Sequence, residues 1–126
     1  MKEKSGSMTI ERLREFGEAW DWGDVDTLMQ FMADDSEYRA FVGPEPGRTY
    51  LGREEVRRGF EEMLAHDAGG ESRGGSLRVM GDFGVAEWAY QLSDDAGNET
   101  LVRGCDLFEF EGRSIKVKDA FRKTPA

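Results

Sequence analysis

The stretch VRGCDLFEF, residues 102–110, alternates as a strand does, yet it carries a carboxylate where the pattern calls for an apolar group. Successive strand side chains point to opposite faces. Val102, Gly104, Asp106, Phe108 and Phe110 therefore share one face, against Arg103, Cys105, Leu107 and Glu109 on the other. Asp106 lies in the middle of the more apolar row, where an isolated carboxylate loses its hydration without compensation. Two arrangements make it tolerable: a neutral carboxyl that donates a hydrogen bond, or an ionised one beside a cation. The first is the chemistry of an acid or an oxyanion donor, the second that of a buried ion pair.

The cation that could reach it is Lys118, in SIKVKDAF. Alternation separates Ile115, Val117, Asp119 and Phe121 from Lys116, Lys118, Ala120 and Arg122. Hydrophobicity turns the first row inward, whereas continuing the faces from Phe110 turns the second inward. An inward Lys118 is the expectation adopted, which sets Ile115, Val117 and Phe121 on the outer face. Lys118 would then either pair with Asp106 and simply satisfy it, or act as a base or Schiff-base nucleophile.

These residues need elements to hold them. Ile10, Leu13, Phe16, Gly17 and Trp20 recur at helical spacing and predict a first helix over about 8–21. Asp24 caps a second with the stripe Val25, Leu28, Met29 and Met32. EYRAFVG reads as a short strand, GPEPG as a turn, and 53–65 as a third helix carrying Val56, Phe60, Met63 and Leu64. HDAGGESRGG reads as a mobile loop, since it lacks the GK[ST] ending of a phosphate cradle. Strands follow over about 76–81, 84–93, 99–110 and 114–123. Helices first and an antiparallel meander afterwards make an α+β domain with segregated layers.

Composition bounds the function. The 126 residues suit one domain over 9–126, after a disordered start or cloning remnant over 1–8. A net charge of −9 argues against nucleic acid and membrane surfaces as partners. The N-terminus has no apolar run of the kind a signal peptide needs. Cys105 is the single cysteine, which suits a reducing cytoplasm. His66 is the single histidine, so neither metal ligation nor a paired-histidine site is expected.

AWDWGDVDTLMQFMADDSEYRAF, TYLGREEVRRGFEEML, GVAEWAYQL and GCDLFEFEGRSIKVKDAF together resemble the NTF2-like superfamily, in its SnoaL-like and ketosteroid-isomerase-like branch, over roughly residues 9 to 123. The resemblance implies a cone: three N-terminal helices on a strongly curved mixed or antiparallel sheet around an apolar pocket, usually in a homodimer through the outer sheet face. Members include isomerases, dehydratases, epoxide hydrolases, polyketide cyclases and non-catalytic scaffolds, so the fold leaves the activity open. Asp106 matches the aspartate that ketosteroid isomerases keep protonated as an oxyanion donor. The isomerase base falls at Ala40, the oxyanion tyrosine at Phe16 and a supporting tyrosine at Phe60, so isomerisation by that route is not expected. The limonene-epoxide-hydrolase pattern keeps Tyr38 alone, with Ala40, Trp88 and Tyr90 at its other polar positions.

Projected onto the cone, the lining is Phe16, Trp20, Tyr38, Val42, Phe60, Met63, Leu64, Trp88, Tyr90, Asp106, Phe108 and Lys118. The expected ligand is a small apolar molecule with a few polar atoms, bound without a cofactor or metal. Asp106 and Lys118 are the catalytic candidates, and Phe16, Trp20, Tyr38, Phe60, Met63, Trp88, Tyr90 and Phe108 the ligand-binding ones. An acid–base enzyme, a non-catalytic binder and a dimeric interaction module all fit this pattern.

Overall fold

The computed structural model describes residues 6–123. Its elements run α1 Ile10–Trp22, α2 Val25–Met29, β1 Met32–Arg39, β2 Thr49–Leu51, α3 Gly52–His66, β3 Glu71–Met80, β4 Phe83–Ser93, β5 Glu99–Glu111 and β6 Ser114–Arg122. Of the stretch 1–8 expected to lack order, residues 1–5 lie outside the described residues. Met8 is buried against the core.

The six strands form one mixed sheet in the order β2-β1-β6-β5-β4-β3, and it is not closed. β3 to β6 make the expected antiparallel meander. β1, however, pairs parallel to β6. The resemblance allowed a mixed sheet without saying which strands run parallel, because pairing between the two ends of a chain leaves no local pattern. The sequence reading missed β2, whose three residues are too short to show alternation. β1 starts at Met32, well before EYRAFVG, because the charged Asp34 and Asp35 occupy an exposed irregularity within it.

Thr9 caps α1 by accepting from the Arg12 N–H at 3.1 Å, and the helix buries Leu13, Phe16 and Ala19. Asp24 caps α2 as expected, accepting from the Thr27 N–H at 3.2 Å. α3 buries Val56, Gly59, Phe60 and Met63. These faces meet Tyr38, Phe108, Phe110 and Ile115 from the sheet in one core.

Two departures from the sequence reading shape the interior. Residues 71–75 of the segment read as a loop form the first half of β3: Ser72 pairs with Tyr90 and Gly75 with Trp88, with a register shift between them. A Cβ on Gly75 would stand 1.9 Å from the Glu87 carbonyl oxygen, so the glycines mark a bulge and a close backbone approach. The second departure is in β6. Phe110 pairs with Ile115 and Glu109 with Val117, which leaves Lys116 as an extra residue. The bulge changes the parity of the strand, so Ile115 and Lys118 are both buried. Ile115 belongs to the core rather than to the outer face, and the conflict between the two rows disappears.

Candidate functional site

A cavity of about 380 Å³ opens between the helices and the sheet, a size suited to a small molecule. α1 supplies Phe16 and Trp20, β1 Tyr38, α3 Met63, β4 Trp88 and Tyr90, β5 Asp106 and Phe108, and β6 Lys118. Phe60 is placed differently from the sequence expectation. It is wholly buried behind the wall, edge-on to Phe16, Trp20 and Tyr38, with centroids 6.2, 5.3 and 4.9 Å away. Val42 and Leu64 pack against the core and do not line the cavity. Helical spacing identified the buried face of α3 but not the depth of each residue on it.

The polar centre is the pair Asp106 and Lys118. Lys118 Nζ stands 3.2 Å from Asp106 Oδ1, with the side chains 4% and 10% exposed. The approach misses hydrogen-bond alignment, so Oδ1 has no hydrogen-bonded partner among the described residues. Burial pushes the Asp106 carboxyl above the ordinary aspartate range, while the Lys118 ammonium and the Trp88 indole pull it back. Lys118 Nζ also lies over two rings, 4.3 Å from the centroid of Trp20 and 4.9 Å from that of Tyr38.

The two tyrosines are not equivalent. Tyr38 is buried and stacks on Tyr50 with centroids 5.7 Å apart. Burial, and then the charge of Asp106, push its phenol well up, so it stays a donor. Tyr90 donates to Asp21 Oδ1 at 2.9 Å and so ties β4 to α1 at the rim. Its phenol is also pushed up, by burial and then by Asp21.

Sequence reasoning missed Asp21, Asp67, Ser72 and Ser76, which line the cavity as well. The two aspartates carry no signal that separates them from ordinary solvated charges, Ser72 was assigned to the loop, and Ser76 was read as the start of a strand. Arg122 donates to both carboxylate oxygens of Asp67 at 3.0 Å, fastening the end of α3 to β6. His66 is half-exposed at the end of α3, with Nδ1 3.2 Å from Asp67 Oδ1. Among the described residues no cluster of three or more His, Cys, Asp or Glu could hold a metal, and no helix is long and apolar enough to cross a membrane.

The SnoaL-like domain family model matches residues 13–117. The chain belongs to the SnoaL-like domain family. Solved structures share its fold. An NTF2-like protein of unknown function from Cytophaga hutchinsonii is 19% identical with a TM-score of 0.73, covering 90% of this chain and 97% of that one. A candidate polyketide cyclase from Xanthomonas campestris is 18% identical with a TM-score of 0.70, covering 88% and 87%. A candidate SnoaL-like polyketide cyclase from Mesorhizobium loti is 23% identical with a TM-score of 0.61, covering 90% and 99%. No curated protein matches the sequence. In this SnoaL-like domain, Ala40 is buried in the core and away from the cavity wall. A methyl group there cannot remove a proton, so the ketosteroid-isomerase base has no counterpart at that position.

Proposed function

We propose that this SnoaL-like protein binds a small, largely apolar molecule in the cavity and performs cofactor-independent acid–base chemistry on it, with Asp106 as the acid or oxyanion donor. The observation that carries this reading is the buried Asp106–Lys118 pair, set among aromatic walls with a carboxyl oxygen that has no hydrogen-bonded partner among the described residues. A dry carboxyl whose pKa is raised can donate to a developing oxyanion. Lys118 adds a positive charge 3.2 Å away, and Tyr38 adds a phenol that keeps its proton. Aromatic walls suit an apolar body, and the polar pair suits one oxygen on it. The names of the cyclase-like structures agree with such a substrate.

The test is native mass spectrometry of freshly purified protein. A co-purified small molecule, displaced in a Tyr38→Phe variant, supports the reading. Protein that is ligand-free, and whose tryptophan fluorescence no apolar carbonyl compound perturbs, would overturn it.

A second reading, an interaction module, draws on the outer sheet face. Phe121 and Leu101 are 45% and 54% exposed there or at its margin, and Leu107 and Cys105 are half-buried. We propose a homodimer through this face, in a reducing cytoplasm. Sedimentation showing only monomer at micromolar concentration would count against it.

A further inference from the structure

We propose that Lys118 is a carbonyl-capturing nucleophile, condensing through Nζ with an aldehyde or ketone of the bound molecule to form an iminium, with Asp106 carrying the protons. The inference rests on the ligand-binding reading above and names the substrate class for that cavity.

Four features of the site point this way. Among the described residues Lys118 is the one amine on the cavity wall, and its side chain is 4% exposed. Asp106 Oδ1 lies 3.2 Å from Nζ, so a proton has a short path between them once the two groups align. The Trp20 and Tyr38 rings face Nζ at 4.3 and 4.9 Å, where the positive charge of an iminium would sit. The surrounding walls include Phe16, Met63 and Phe108, which shield such a bond from hydrolysing water. Competing nucleophiles stand elsewhere: His66 is half-exposed at the end of α3, and Cys105 points to the other face of β5, its thiol pushed up by burial and then by Asp106. Burial also raises the Asp106 carboxyl, so it holds a proton more readily than a free aspartate.

The steps balance from the tautomer in which Asp106 holds the proton and Lys118 is the free amine. The nitrogen lone pair forms a C–N bond with the carbonyl carbon, and the C=O π pair moves to oxygen, which takes the Asp106 proton. The Asp106 carboxylate then removes one proton from nitrogen, leaving a neutral carbinolamine and a carboxyl again. That carboxyl protonates the hydroxyl, the C–O bond breaks, and the nitrogen lone pair forms C=N. Amine, carbonyl and carboxyl thus give iminium, water and carboxylate, with no oxidant or reductant consumed. The Asp106 carboxylate is left beside the iminium, placed to remove a proton from the adjacent carbon.

The test uses the full chain, 2-naphthaldehyde as an apolar probe, and sodium cyanoborohydride to trap the iminium as a secondary amine. Intact mass should rise by the aldehyde less one oxygen atom. Peptide mapping should place the adduct on Lys118, formed about tenfold or more faster than at Lys116 or Lys123, as expected for a positioned amine. Lys118→Arg keeps a cation between the rings and should abolish that adduct while the aldehyde still quenches tryptophan fluorescence. Asp106→Asn leaves the amine in place and should slow trapping at Lys118 with quenching retained. Quenching with adducts only on other lysines would overturn Lys118 as the nucleophile and leave the binding reading standing. Neither quenching nor an adduct at Lys118 would overturn both. The wild-type mapping decides the point even if a variant fails to fold.

Discussion

Replacing Asp106 by asparagine keeps the shape of the side chain and removes its ionisation. Lys118 Nζ is 3.2 Å from Oδ1, and at that separation the attraction is about 5 kcal/mol for an effective dielectric of about 20. Opposing it is the desolvation of two ions, several kcal/mol for each. Burial wins this contest, since the carboxyl is held above the ordinary aspartate range despite the ammonium. Asparagine does not leave that ammonium bare, because the Trp20 and Tyr38 rings remain over it, each such contact contributing about 1 to 2 kcal/mol when desolvated. Asp106→Asn is therefore expected to lie within about 1 kcal/mol of wild type at neutral pH. The pH dependence gives the sign. A carboxyl raised in the folded state contributes stability that is fully present below its unfolded value, about 3.9. That contribution is lost as pH rises through the folded value. Wild type should thus lose ground to Asp106→Asn as pH climbs from about 4, read by urea unfolding at a series of pH values. A loss of about 3 to 5 kcal/mol in the variant, or a deficit that grows with pH, would show that Lys118 outweighs burial and would refute the reasoning.

Lys118→Met removes the charge that holds the carboxyl down, so its stability deficit should grow with pH above about 4 and shrink below it; the same urea series checks this, and a pH-independent deficit counts against it. Gly104→Ala places a Cβ 2.2 Å from the Phe121 carbonyl oxygen and 2.4 Å from the Trp88 ring. It should cost about 1 to 3 kcal/mol and move the tryptophan emission, whereas wild-type melting and emission would contradict the packing described. Asp24→Ala loses the bonds from the Thr27 hydroxyl at 2.7 Å and the Thr27 N–H at 3.2 Å, which hold this carboxyl below the usual range. Thermal melts should show a deficit above about pH 4 that fades as the pH falls, and a deficit unchanged in acid would refute the capping role.

The sites that the sequence revealed and those it concealed differ by what carries the information. Asp106 was legible because strand alternation is local: its own neighbours assign its face. Trp20, Tyr38, Trp88, Tyr90 and Phe108 took their faces from the same two periodicities, and their place in a lining from the resemblance to a cone-shaped fold. Phe60 shows where periodicity stops, since it assigns a face and cannot say whether a residue lines a cavity or backs the wall behind it. Asp21 and Asp67 were invisible because a carboxylate at a cavity rim has the same sequence context as one in solvent. Ser72 was hidden by the glycines around it, whose flexibility reads as a loop although they mark a bulge and a close strand approach, and Ser76 was read as a strand residue with nothing to show that it reaches the cavity.

The sequence by itself determined the three helices, the antiparallel meander, the apolar face of β5 and the anomaly of a carboxylate on it. These follow from hydrophobic spacing within single elements. Only the tertiary structure decided the parallel pairing of β1 with β6, the placing of the Gly-rich segment in β3, and the inward turn of Lys118. Pairing between chain ends depends on packing energy summed over distant residues, which no local window contains. The orientation of Lys118 depends on one extra residue: the bulge at Lys116 reverses the parity of β6, and alternation counted along the strand cannot register that reversal.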